Sequence, residues 1–210
     1  MKTKLTLIIL IIFGLMNTTD AQNKVTRFVI KTEFGDMKGF LYNETPLHRD
    51  NFVKLVNQGW YNNSPFHRVI RNFMIQGGQN ADGRLDPGYK VPAEFKPGLI
   101  HKKGALAAAR MGDQVNPKKE SSGSQFYIVQ GTKVDEKSLA SFSARSGMQY
   151  TQEQTRIYGE LGGPPHLDGG YTVFGEITEG FDVLDKIAAV KTLPGDKPEK
   201  DVKMSVQILK

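Results

Sequence analysis

The 210-residue chain predicts a mainly β fold, a closed antiparallel β-barrel capped by two α-helices. Short stretches of alternating apolar and polar side chains recur along it, two amphipathic segments have helical spacing, and no repeat or linker divides it. Residues 25–31 and 37–41 alternate around Thr32-Glu33-Phe34-Gly35-Asp36 and read as a hairpin. A first helix follows, with Thr45 as N-cap, Pro46 at its first position, Phe52, Leu55 and Val56 on one face, and Gly59 at its end. Residues 66–76 then alternate as a half-buried strand interrupted near Arg71-Asn72, and Gly77-Gly78 give the backbone freedom to turn. Residues 80–98, rich in Gly, Pro, Asp and Asn, read as an ordered loop. Strands are expected over 106–110, 124–129, 171–177 and 202–208, and a second core helix over 180–187.

Residues 131–163 stand apart as a helical insertion. Leu139 and Phe142 are three apart, and Thr151-Gln152-Glu153-Gln154 has the layout of a capping box. The insertion reads as a helical hairpin in a loop, serving as a surface elaboration, a wall over a groove or a docking face for a partner.

The first residues form their own unit. Lys2 and Lys4 precede an apolar run from Leu5 to Ile12, and small side chains at Thr19 and Ala21 supply a cleavage site. Residues 1–21 are therefore expected to be a signal peptide cleaved after Ala21, leaving one domain over 22–210 and no stable membrane anchor, since the run is shorter than the ~20 residues that span a bilayer. Cysteine is absent, which excludes disulfides and a lipid-modified cysteine. A short leader and a disulfide-free chain fit a bacterial periplasmic or secreted protein.

The formal net charge is +6, and removing residues 1–21 takes away Lys2, Lys4 and Asp20 and leaves +5. The paired lysines Lys102-Lys103 and Lys118-Lys119 have no aromatic ladder between them, so they read as solvated surface and no nucleic-acid partner is expected. His48, His67, His101 and His166 have no paired helical spacing, so no metal site is expected, and no cofactor is required. No heptad demands an oligomer, and a monomer is expected.

Four motifs occur in a fixed order: Phe66-His67-Arg68-Val69-Ile70 running to Phe73-Met74-Ile75-Gln76-Gly77-Gly78; Gly104-Ala105-Leu106-Ala107-Ala108-Ala109-Arg110; Ser122-Gly123-Ser124-Gln125-Phe126-Tyr127-Ile128; and Leu167-Asp168-Gly169 with Val173-Phe174-Gly175. Together they resemble the cyclophilin family of peptidyl-prolyl cis-trans isomerases over roughly residues 25–209, apart from the insertion. The resemblance implies the barrel fold, X-Pro isomerisation during folding of exported proteins, and proline-containing unfolded or flexible polypeptides as substrates. It places Arg68, Phe73 and Gln76 at the catalytic centre, with Arg68 acting on the proline nitrogen and Gln76 orienting it. Met74, Phe126 and Leu167 join Phe73 around the proline, and Tyr127 stands beside them. Ala109 and the main chain of Arg110 would hold the preceding residue, Gln125 belongs to the substrate-binding set, and His67, His166 and Tyr171 lie at the rim. Two other functions fit the same residues: a silent binder of proline-containing segments, and a holdase using the insertion.

One departure carries a prediction. His166 stands where eukaryotic members carry a tryptophan that contacts cyclosporin, so cyclosporin binding is expected to be weak while peptide isomerisation survives. Calorimetric titration should show no midpoint in the micromolar range or below; a midpoint there would overturn the expectation.

Overall fold

The computed structural model describes residues 25–84 and 86–209; the expected leader at 1–21 lies outside the described residues. The first hairpin pairs β1 (Thr26–Thr32) with β2 (Gly35–Leu41) in the register Thr26↔Leu41 to Thr32↔Gly35. Its turn is closed by Thr32, whose hydroxyl donates to the Gly35 carbonyl at 2.8 Å and accepts from the Phe34 amide at 3.1 Å.

Helix α1 (Pro46–Asn57) starts where Pro46 predicts, but Thr45 makes no side-chain cap and its buried hydroxyl has no partner. The Glu94 carboxylate caps the helix instead, accepting from the amides of Leu47 at 3.1 Å and His48 at 3.0 Å. A carboxylate brought in from a distant loop thus satisfies two orphan donors at the positive end of the helix.

The stretch 66–76 is a hairpin rather than one interrupted strand. β4 (Arg68–Ile70) folds back on β5 (Met74–Gly77) with Arg68 opposite Gln76, and Asn72 at φ +66° makes the reversal. The other strands are β3 (Ser64–Pro65), β6 (Lys90–Val91), β7 (Ala105–Ala108), β8 (Ser121–Ser122), β9 (Phe126–Val129), β10 (Val173–Glu179) and β11 (Lys203–Leu209). Nine of the eleven described strands form one curled antiparallel sheet in the order β3-β11-β1-β2-β10-β7-β9-β5-β4, and β6 pairs with β8 separately.

The sheet is a half-barrel; its end strands β3 and β4 are not paired, where the sequence predicts closure. Their neighbourhood bonds elsewhere: the Phe66 amide donates to the Val202 carbonyl at 2.9 Å and the Val69 amide to the Asp196 carbonyl at 2.8 Å. Pro65, at the end of β3, has no amide to offer. The segment before β11 therefore covers these edges in place of a ladder.

The pleat sorts apolar side chains into two clusters. Inside the curl lie Phe28, Ile30, Phe52, Tyr61, Leu106, Phe126 and Ile128, with Phe52, Tyr61 and Phe126 making ring contacts at 5.3 to 5.7 Å. Helices α1 and α4 (Phe181–Ala188) add Leu55, Val183, Leu184 and Ile187 to it. The opposite face of β5, β7 and β9 gathers Met74, Ala105, Ala107, Ala109, Tyr127 and Val129 with Leu167 and Val173.

The insertion forms the expected helical hairpin. Asp135 caps α2 (Glu136–Ser146), Gly147 ends it at φ +76°, and Thr151 with Gln154 forms the capping box of α3 (Gln152–Glu160). Leu139 and Tyr158 pack on Ile100 in a small third core, so the hairpin is fastened to the body rather than merely appended.

Candidate active site

A cavity of about 270 Å³ opens on the outer face of the sheet, lined by Arg68, Phe73, Met74, Gln76, Ala109, Arg110, Tyr127, Leu167 and Tyr171. Each strand contributes through its pleat. β4 and β5 place Arg68, Met74 and Gln76; β9 places Tyr127; the 3-10 turn Pro165–Leu167 delivers Leu167. The alanines of β7 and its continuation keep this face shallow enough for the hollow to exist.

Arg68 is held by Asp196, whose Oδ2 accepts from Nε at 3.2 Å, and both side chains are 43% exposed. Gln76 faces Arg68 across the ladder and its amide donates to Gln125 Oε1 at 3.3 Å, while Asp196 is the carboxylate that meets the guanidinium. The Arg110 side chain is structural. Its Nε donates to the Gly170 carbonyl at 2.6 Å, Nη1 reaches the Met111 carbonyl and Asp113, and the guanidinium lies 4.5 Å over the Tyr171 ring.

Several expected site residues sit elsewhere. Phe126 does not line the cavity: the two-residue pleat turns it into the inner core beside Phe52 and Tyr61, and its neighbour Tyr127 supplies the aromatic wall. His67, one residue before Arg68, likewise leaves the cavity, and its buried Nδ1 has no partner. Gln125 borders an adjoining depression of about 340 Å³ that shares Gln76, Ala109 and Arg110 with the first and adds Asp86, Lys90, Met111 and Glu120. His166 stays outside the cavity but stacks on Phe73 at 5.9 Å.

Residues that the sequence reading missed are Asp196 and Met111. Asp196 sits at φ +64° in a Pro194-Gly195-Asp196 turn, a signal for a fixed loop but not for its target. Met111 is 61% exposed, and only its place after Arg110 marks it. Among the described residues no group of three or more His, Asp or Glu side chains is placed to hold a metal ion.

The surroundings of the site set several pKa directions. Burial, followed by Tyr171 and Asp168, keeps the Tyr127 hydroxyl protonated well above its usual range. Burial and then the Arg68 charge push the His67 imidazole down, and burial outweighs Glu94 in pushing down His48.

Comparison with known proteins places this geometry. A family model described as cyclophilin type peptidyl-prolyl cis-trans isomerase/CLD matches residues 27–207. A Staphylococcus saprophyticus protein assigned as a peptidyl-prolyl cis-trans isomerase is 36% identical over 92% of this chain and 96% of its own length. A Streptococcus pyogenes protein assigned as a bifunctional phosphatase and peptidyl-prolyl cis-trans isomerase is 38% identical over 84% of this chain, which spans 37% of that longer protein. The crystal structure of a Cryptosporidium parvum cyclophilin type isomerase in the presence of the dipeptide Ala-Pro superposes with a TM-score of 0.63, at 24% identity, over 88% of this chain and 99% of its own.

Three histidines, His48, His67 and His166, are pushed down chiefly by burial, and the two more deeply buried, His48 and His67, dominate a pH dependence. Unfolded histidines take protons near 6.5, while the folded state resists them at His48 and His67. Stability should be whole above that value and should fall as the pH drops through it toward the lowered folded values. Urea midpoints at about pH 7.5 and about pH 5.5 are expected to show a loss on acidification that shrinks in His67→Gln; an unchanged slope in the variant would contradict the assignment.

Proposed function

The chain belongs to the cyclophilin-type peptidyl-prolyl cis-trans isomerase family and is an enzyme of that class, and we propose that Arg68 drives the isomerisation by acting on the proline nitrogen of an exported client. The observation that carries this reading is that the Arg68 guanidinium shares one hollow with Phe73, Met74, Leu167 and Tyr127, with Gln76 and Arg110 also in its wall. At about 270 Å³ the hollow is near the small end of ligand sites, which suits a proline ring and little more. The Ala-Pro dipeptide with the Cryptosporidium structure supports an X-Pro unit as the ligand.

Amide resonance sets a barrier of roughly 20 kcal/mol to rotation about the X-Pro bond. At the twisted transition state that resonance is broken and the nitrogen regains its lone pair. A donor aimed there binds the twisted state better than either planar one, which is the condition for raising kcat. Phe73, Met74 and Leu167 hold the ring while the preceding carbonyl swings, and Ala109 and Arg110 lie where the swinging part must be guided. No nucleophile, general base or metal takes part.

Export is proposed from the leader at 1–21, with the mature chain in the periplasm or secreted, monomeric, and assisting folding of other exported chains. No described helix is long and apolar enough to cross a membrane.

Two measurements test the reading. Exchange NMR on a short Ala-Pro peptide should show fast catalysis by the mature protein and a fall in kcat/KM of about a hundredfold or more in Arg68→Ala; an unaffected variant would remove Arg68 from the mechanism. Expression of the full chain in a bacterium, followed by fractionation and N-terminal sequencing, should find it outside the cytoplasm and beginning at Gln22. Recovery of an intact cytoplasmic chain would overturn export.

A further inference from the structure

The insertion ends on the back of the pocket. Two of its tyrosines converge on one carboxylate oxygen: Tyr158 donates to Asp168 Oδ2 at 2.6 Å and Tyr150 at 3.0 Å, their rings meeting edge to face at 5.7 Å. The other oxygen, Oδ1, accepts from the His101 amide at 2.9 Å and faces His101 Nδ1 at 2.7 Å. His101 Nε2 lies 3.0 Å from the Tyr127 hydroxyl, with the two rings stacked. The Asp168 and His101 side chains are 2% and 0% exposed, so nothing in this chain of bonds is replaced by solvent.

The chemistry fixes the direction of each bond. A carboxylate only accepts, so Nδ1 carries a proton toward Asp168, and in the neutral ring Nε2 then accepts from the Tyr127 hydroxyl. Asp168 follows Leu167 directly, and both Leu167 and Tyr127 line the cavity. One carboxylate therefore sets two walls of the hollow, and half of its donors come from the insertion.

Resting on the isomerase reading of this cavity, we propose that the inserted hairpin is a positioning device: Tyr150 and Tyr158 fix Asp168, and through Asp168 and His101 they fix Leu167 and Tyr127 where the proline ring docks. Neither tyrosine touches substrate. Removing their hydroxyls leaves Asp168 Oδ2 buried with no donor from the insertion, and the carboxylate then shifts to seek other donors, carrying Leu167 and the His101 imidazole with it.

The test is Tyr150→Phe/Tyr158→Phe, which keeps both rings and removes only the hydroxyls, assayed by exchange NMR on an Ala-Pro peptide beside the wild type. We expect kcat/KM to fall about tenfold, with the loss in KM because the ring is held equally in the ground and twisted states. In a Tyr127→Phe background, where the His101 branch is already cut and only the Leu167 branch remains, the same pair of substitutions should cost about threefold rather than tenfold. Wild-type kinetics in the double variant, or losses that simply multiply with Tyr127→Phe, would overturn the proposal. Should the double variant fail to fold, Tyr150→Phe alone carries the same cycle, with an expected loss of about threefold that shrinks in the Tyr127→Phe background. An inactive wild type would overturn the isomerase reading and this proposal together, whereas an active wild type with indifferent variants overturns only the latter.

Discussion

The site depends on the two-residue pleat of β7 and β9. In β9, Phe126 and Ile128 enter the inner core while Tyr127 and Val129 face outward; in β7, Leu106 and Ala108 go inward while Ala105 and Ala107 face outward. Because β7 turns only alanines outward beside the Tyr127 ring of β9, the same strands wall a core and floor a hollow. A slip of one residue would exchange the sets, bury Tyr127 in a space shaped by Phe52 and Tyr61, and fill the hollow with Phe126. The inner core thereby guards the register on which the outer cavity relies: Phe126 is tied into edge-to-face contacts with both of those rings.

Two carboxylates brought in from loops carry the polar side of this architecture. Glu94 stands at the N-terminus of α1 and also meets His48 Nδ1 at 2.7 Å, while His48 Nε2 meets the Ser121 hydroxyl at 2.9 Å. Asp168 performs the corresponding task beside the cavity. Taking a carboxylate out of water costs several kcal/mol unless donors replace the water, and each of these has at least three. Both therefore hold their surroundings in one arrangement, because any displacement strips a donor from a buried charge. Loops with little regular structure gain in this way the rigidity that a catalytic pocket requires.

Much of the molecule was legible in the sequence because it is written in local rules. The first hairpin, both capping helices and the inserted hairpin follow from alternation, Pro46, the Leu139/Phe142 spacing and the Thr151/Gln154 box. Arg68, Phe73, Met74, Gln76, Ala109, Arg110, Tyr127, Leu167 and Tyr171 converge as the motif order implied. What failed was long-range or a matter of parity. Phe126 was placed at the pocket although an adjacent residue pair cannot share a face of a strand. Closure of the sheet was expected from strand number, yet the β3 and β4 edges are met by the loop holding Asp196. No local pattern connects Asp196 to Arg68, 128 residues away, or Glu94 to the helix it caps.

In the mechanism proposed for Arg68, solvent decides what the guanidinium can contribute. With its side chain 43% exposed, the guanidinium is screened, and even a unit charge about 4 Å away would gain only about 1 kcal/mol in bulk water. A thousandfold acceleration needs roughly 4 kcal/mol of preferential binding to the twisted state, and the neutral nitrogen offers only a lone-pair dipole, so a water-screened guanidinium falls short of it. The substrate must therefore provide the missing step by covering Arg68 and expelling water from between Phe73, Met74 and Tyr127. Asp196 makes that affordable for the fold, since its single contact through Nε keeps a counterion beside a charge that docking will desolvate. Under the mechanism proposed for Arg68, binding and catalysis are coupled: the apolar walls that would hold the proline ring also lower the local dielectric, and only then would the arginine distinguish a twisted amide from a planar one.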